Sequence, residues 1–160
     1  MKGLFLDEIE LDREETLGSH HFTRQAMLRF AQAYDPQPFH LDDEAARQSH
    51  FGALCASGWH TAAAWMKCYT AFNERHRIER ASRGESLPDI GPSPGFQNLK
   101  WLKPVYVGDT ITYACRTKDK RPLRTKPGWG LLQFSTLGRN QKEDPVFSFD
   151  GKVLVQMRRR

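Results

Sequence analysis

The chain of 160 residues lacks any apolar run long enough to cross a bilayer, which excludes a membrane-spanning helix and leads us to expect a soluble protein with no membrane partner. Cysteine is scarce. Cys55, Cys68 and Cys115 form neither a CxxC pair nor an even set, so a zinc site and a disulfide framework are both disfavoured, and buried free thiols are expected. The opening "MKGLFLDEIELDREE" has no basic region followed by a long apolar stretch, because acids begin at Asp7. No secretory signal is therefore expected, and the expected location is cytoplasmic. Repeats and low-complexity blocks are absent as well.

What remains is ordinary for a globular protein: 39% hydrophobic and 27% charged residues, in a length that suits one domain over residues 1–160 with one core. The net charge is +5, from 24 Lys and Arg against 19 Asp and Glu, with Arg158 to Arg160 supplying part of it. Such an excess attracts polyanions or simply solvates a surface. The segment "RTKDKRPLRTKPG", Arg116 to Gly128, concentrates cations but has no interleaved aromatic before Trp129. Single-stranded nucleic acid is bound by basic grooves mixed with stacking aromatics, so no nucleic-acid partner is expected. A hairpin with a wet, basic tip fits better; its cations could also attract a substrate that carries phosphates.

Periodicity divides the chain. Residues 4 to 22 hold short apolar runs that suit one or two strands. Thr23 stands where a helix N-cap belongs, and Met27, Leu28, Phe30 and Ala31 give a helical face as far as Tyr34, where Asp35-Pro36 stops it. Asp42 can cap a second short helix. From Gly58 to about Ser82 the spacing of Trp59, Ala62, Ala63, Met66, Tyr69 and Phe72 predicts the longest helix, with an apolar first half and a polar second half. Its Trp and Met stripe is expected to be core. "GESLPDIGPSPG" then reads as a loop or lid, and the remainder as strands: "FQNLKWLKPVYV", "TITYACRTK", "GWGLLQFSTLGRN" and "PVFSFDGKVLVQM". The expected class is α+β, an antiparallel sheet curled around a long helix.

One stretch carries chemistry, "YDPQPFHLDDEAA". Asp35 and His40 stand five apart, and Pro36 and Pro38 between them fix two φ angles and limit drift. Two proton carriers on a stiffened loop suit a reacting pair; equally, Asp35 can end a helix while His40 packs near the next. His60 is a rival proton carrier, but a lone His on a mostly apolar helix is more often a satisfied core or rim residue. Ser57, beside Gly58 in "ASGWH", lacks the G-x-S-x-G elbow of a nucleophile and reads as an N-cap.

"YDPQPFHLDDEAA", "FGALCASGW" and "LKWLKPVYVGDTI", in that order, resemble the MaoC-like dehydratases, relatives of the R-specific enoyl-CoA hydratases. The resemblance runs from about Phe22 to Gln156. It implies the hotdog fold and a hydratase or dehydratase that adds or removes water across the 2,3 double bond of an enoyl thioester. Asp35 and His40 fall on the family's catalytic pair, and Ser57 and Gly58 on its oxyanion and substrate-binding pair, with the Gly58 amide aimed at the thioester carbonyl. The sequence departs from the family in having Gln37 for Asn, Tyr34 for Gly before the Asp, and Ser57 for the His of His-Gly. No metal or redox cofactor is implied; coenzyme A is expected as part of the substrate. The resemblance also implies a homodimer or a dimer of dimers. The alternatives are a catalytically silent acyl-thioester binder and a hotdog thioesterase.

Overall fold

The computed structural model describes residues 2–158. After a short 3-10 turn at Leu6–Glu8, the chain forms β1 (Glu14–His21), α1 (Arg24–Tyr34), α2 (Pro38–Leu41), α3 (Asp43–Gln48) and α4 (Gly58–Ser82). Four strands follow: β2 (Gly95–Trp101), β3 (Thr110–Pro122), β4 (Trp129–Arg139) and β5 (Pro145–Gln156). The strands make one antiparallel sheet in the order β1-β3-β4-β5-β2, so the α+β class holds. Residues 4 to 22, expected to hold one or two strands, yield one, because the first apolar run closes into the 3-10 turn. Two details differ from the sequence expectation. The "KPVYV" segment is not a continuation of β2; it contributes only an isolated bridge, Tyr106 to Cys55. His40 lies in the short helix α2, where Pro38 occupies a first-turn position that needs no N–H donor.

The core lies between α4 and the sheet. Alternate residues of β4 and β5, among them Leu132, Phe134, Phe147 and Val153, point inward as the pleat requires. They meet Trp65, Cys68 and Phe72 of α4. The Tyr113 hydroxyl donates to the Thr61 carbonyl at 2.9 Å, tying β3 to the first turns of α4. All three cysteines are buried and free.

The buried face of α4 is His60, Thr61, Ala64, Trp65, Cys68, Phe72 and Asn73. This corrects the expected stripe: Trp59 and Met66 are about half exposed, 52% and 50%. The helix is rotated from the apolar spacing because its first half is apolar almost all round, and such a pattern does not choose a face. The basic segment does form the end of the β3–β4 hairpin. Lys120 donates to the Asp7 and Ile9 carbonyls, Lys126 sits 4.0 Å over the Trp129 ring and Arg116 pairs with Glu14 at 2.9 Å, so three of its cations have structural work.

Candidate active site

The N-terminus of α4 and the turn after α1 converge on one point. Thr23 caps α1 by accepting from the Ala26 N–H, and the helix ends when the Asp35 N–H donates to the Ala31 carbonyl. Asp35 leaves helical geometry ahead of Pro36, and Gln37 is extended ahead of Pro38, as a following proline favours. The chain then re-enters a helix at Pro38, which turns His40 back toward Asp35. On the other side, the Ala56 N–H donates to the Val105 carbonyl at 2.7 Å and seats the residues before α4 against the segment that leads into β3.

Asp35 and His40 come together: His40 Nε2 lies 3.5 Å from Asp35 Oδ2. His40 is buried and its Nδ1 is 2.8 Å from the Cys55 carbonyl oxygen. A carbonyl only accepts, so Nδ1 carries a hydrogen, and in the neutral form of the ring the lone pair is on Nε2, facing the carboxylate. Both carboxylate oxygens of Asp35 are engaged. Ser57 Oγ donates to Oδ2 at 2.7 Å, and Gln37 Nε2 donates to Oδ1 at 2.8 Å. Partial burial pushes the Asp35 carboxyl up, but the Ser57 and Gln37 hydrogen bonds, aided by His40 whenever its ring is protonated, outweigh it and hold the group below its ordinary value. Asp35 is thereby kept ionised.

Ser57 does more than the expected capping. It is 2% exposed, accepts from the Trp59 N–H at 3.2 Å as an N-cap, and spends its hydroxyl proton on Asp35. Gly58, the first residue of α4, has an N–H with no acceptor among the described residues, as expected for the first turn of a helix. A Cβ added at Gly58 would come within 2.4 Å of the Trp101 indole. The glycine lets that ring lie directly against the helix start.

Asp35, His40 and Gly58 line a single cavity of about 360 Å³, whose walls also include Phe39, Phe51, Trp59 and Trp101. Residues 10–128 match the family model described as "MaoC like domain". The chain belongs to the MaoC-like dehydratase family. It is 31% identical to the MaoC-like dehydratase from Rhodospirillum rubrum, whose crystal structure matches it with a TM-score of 0.81 over 98% of this chain and 99% of that one. It is 30% identical over 151 residues to the uncharacterized protein YdeM of Bacillus subtilis, covering 94% of this chain and 98% of that protein. The R-hydratase PhaJ1 from Pseudomonas aeruginosa shares the fold at 17% identity, with a TM-score of 0.68 over 96% of this chain and 86% of that one. The sheet wrapped about α4 is the hotdog fold.

The remaining sequence candidates of this MaoC-like chain fall elsewhere. His60 does not line the cavity with Asp35 and His40; it is stacked on Phe30 with ring centroids 4.6 Å apart and lies 5.0 Å from Phe22. It is not the satisfied core histidine expected, because its buried Nδ1 has no partner among the described residues. Burial, with His20 nearby, lowers its pKa to about 4. The basic hairpin lies at the far end of β3: from Thr110 to Arg121 a strand rising about 3.3 Å per residue covers roughly 35 Å. Those cations cannot serve the cavity of the same protomer. The cation that does line it is Lys103, paired with Asp144 at 2.8 Å. Sequence reasoning missed Lys103 and the Cys55 carbonyl, since a backbone acceptor leaves no trace in residue type. Gln37 was visible only as a departure from the family, although an amide two residues after an Asp is well placed to bond it.

Proposed function

We propose that this chain is an enoyl-thioester hydratase or dehydratase in which Asp35 and His40 handle the protons and the Gly58 N–H holds the enolate oxygen. The observation that carries this reading is the pair of acceptors, His40 Nε2 and Asp35 Oδ2, facing one another 3.5 Å apart in the cavity that also holds the free Gly58 N–H. A direct bond between two acceptors is impossible without a proton. A water seated off the line between them, about 2.8 Å from each, can donate one hydrogen to each and turn a lone pair toward the substrate. In hydration, C3 forms its bond to that oxygen as His40 Nε2 takes the proton, and the π electrons move through C2 to the thioester oxygen. His40 then returns a proton to C2. Asp35, held ionised, is a poor proton donor; it orients the water and stabilises the imidazolium. The Gly58 N–H and the positive end of α4 meet the charge that develops on the oxygen. Dehydration runs the same steps in reverse. The chemistry calls for no metal or redox cofactor, and coenzyme A or a carrier arm enters with the substrate.

Self-association belongs to the same reading. β2 is an edge of the sheet, and Phe96, Trp101 and Leu102 on and beside it are 58%, 47% and 44% exposed. An open edge with apolar side chains favours pairing with another edge. We therefore propose a homodimer joined along β2, which light scattering on the purified protein tests directly.

The deciding assay is the loss of crotonyl-CoA absorbance with wild type, Asp35→Asn and His40→Gln. Each positioned proton transfer contributes on the order of 10²–10⁴-fold, so each variant is expected to lose that much turnover while remaining folded. A second reading, a silent acyl-thioester binder, draws on the Trp101 indole packed against Gly58. Tight acyl-CoA binding by wild type without turnover of any enoyl-CoA would establish it in place of the first.

A further inference from the structure

Trp59, the residue after Gly58, lines two cavities. One is the acid/base cavity. The other, about 190 Å³, lies between α4 and the sheet and is walled by Ala62 and Met66 of α4, Phe96 and Leu99 of β2, and Phe149 and Val153 of β5. Phe96 and Leu99 are three apart and would face opposite sides of a regular strand. They reach the same cavity because the β2–β5 register shifts between Gln97 and Lys100, with Asn98 at φ 56°. The local irregularity of β2 therefore builds this wall. An apolar cavity of about 150 Å³ is enough to hold benzene, so the space exceeds what a small apolar group needs.

Trp59 is shared by the linings of both cavities, and its indole leans edge-on against Trp101, with ring centroids 5.3 Å apart and planes at 78°. Trp101 in turn rests on Gly58. The two indoles thus link Gly58 to the residue that the cavities share, and the reaction steps above use neither ring.

We propose that Trp59 is the specificity-determining residue of this site: its indole separates the acid/base cavity from the apolar cavity and confines the substrate to short acyl groups. The apolar cavity is the space that a longer linear acyl chain enters when the indole is removed. This inference rests on the acyl-thioester reading of the site.

The test compares wild type, Trp59→Ala, Trp59→Phe and the double variant Trp59→Ala/Ala62→Trp, which refills the apolar cavity from the next turn of α4. Two quantities are read for each. One is the ratio of kcat/KM for octenoyl-CoA over crotonyl-CoA; the other is the ratio of dissociation constants for decanoyl-CoA and butyryl-CoA. Because a methylene in an apolar pocket is worth roughly 10–200-fold in discrimination, Trp59→Ala is expected to shift both ratios toward the longer chain by at least about tenfold. Trp59→Phe is expected to lie between, and the double variant to return toward wild type. Unmoved ratios in Trp59→Ala overturn the proposal, and so does a shift that Ala62→Trp fails to reverse. Loss of self-association in Trp59→Ala with unmoved ratios assigns the apolar cavity to a subunit contact instead. Should wild type turn over no enoyl-CoA, the acid/base reading fails by itself, and the binding ratios still decide the role of Trp59. Failure of wild type and Trp59→Ala to bind any acyl-CoA overturns both the acyl-thioester reading and the role of Trp59.

Discussion

The Ser57 hydroxyl donates to Asp35 Oδ2 at 2.7 Å while its oxygen accepts from the Trp59 N–H, so one side chain joins the start of α4 to the proposed acid/base pair. Removing it has two separable effects. Ser57→Ala loses an N-cap, which costs about 1 kcal/mol of stability and is read as a lower urea midpoint. It also frees Oδ2, so the Asp35 pKa is expected to rise and turnover to fall by roughly 10²-fold through misplacement of the carboxylate. Ser57→Thr keeps both hydrogen bonds and is expected to restore the cap and much of the rate.

Gln37 holds the other oxygen of Asp35 from a more exposed position. Gln37→Ala is expected to lower kcat less than Ser57→Ala does, and to move the acid limb of the pH–rate profile upward, because one of the bonds holding the Asp35 carboxyl down is gone. An unchanged acid limb would show that Gln37 does not set the charge of Asp35.

His60 makes stability depend on acid. Its pKa is lowered to about 4 in the folded protein, against an ordinary value of 6.5. Above pH 6.5 both folded and unfolded states hold it neutral, and it has no effect. As pH falls from 6.5 toward 4 the unfolded chain takes up a proton that the folded one refuses, so stability drops, by roughly 3 kcal/mol at the limit, and then levels off. Urea midpoints for wild type and His60→Phe across that range check this. The variant is expected to lose most of the slope, with the remainder assigned to other groups such as His20, which burial also lowers.

Gly151 of β5 sits under Phe134 of β4, its partner in register, and an added Cβ would come within 2.4 Å of the ring. Gly151→Val is expected to cost about 1–3 kcal/mol by overpacking. Gly151→Val with Phe134→Leu is expected to recover part of it, read as a non-additive double-mutant cycle in the melting temperature.

Much of the fold was legible because its signals are local. Thr23, Asp42 and Ser57 mark helix starts by side chains that bond their own first turn, and each caps in the structure. Asp35-Pro36 ended α1 where steric restriction before a proline says it must. The strand runs of β3, β4 and β5 declared themselves by β-branched and aromatic residues between turn signals. The sequence by itself also brought Asp35, His40, Ser57 and Gly58 into view, through the spacing of the motif and its resemblance to a family.

Tertiary structure decided what periodicity leaves open. Which side of α4 is buried depended on where the sheet wraps, since the first half of the helix is apolar on every side; Trp59 and Met66 thereby became cavity walls and not core. The tautomer of His40 is set by a carbonyl fifteen residues away, and the charge of Asp35 by a hydroxyl twenty-two residues away. Such contacts join segments whose separation along the chain carries no pattern. They exist only once the sheet has folded around α4 and brought the turn after α1 against its first residue.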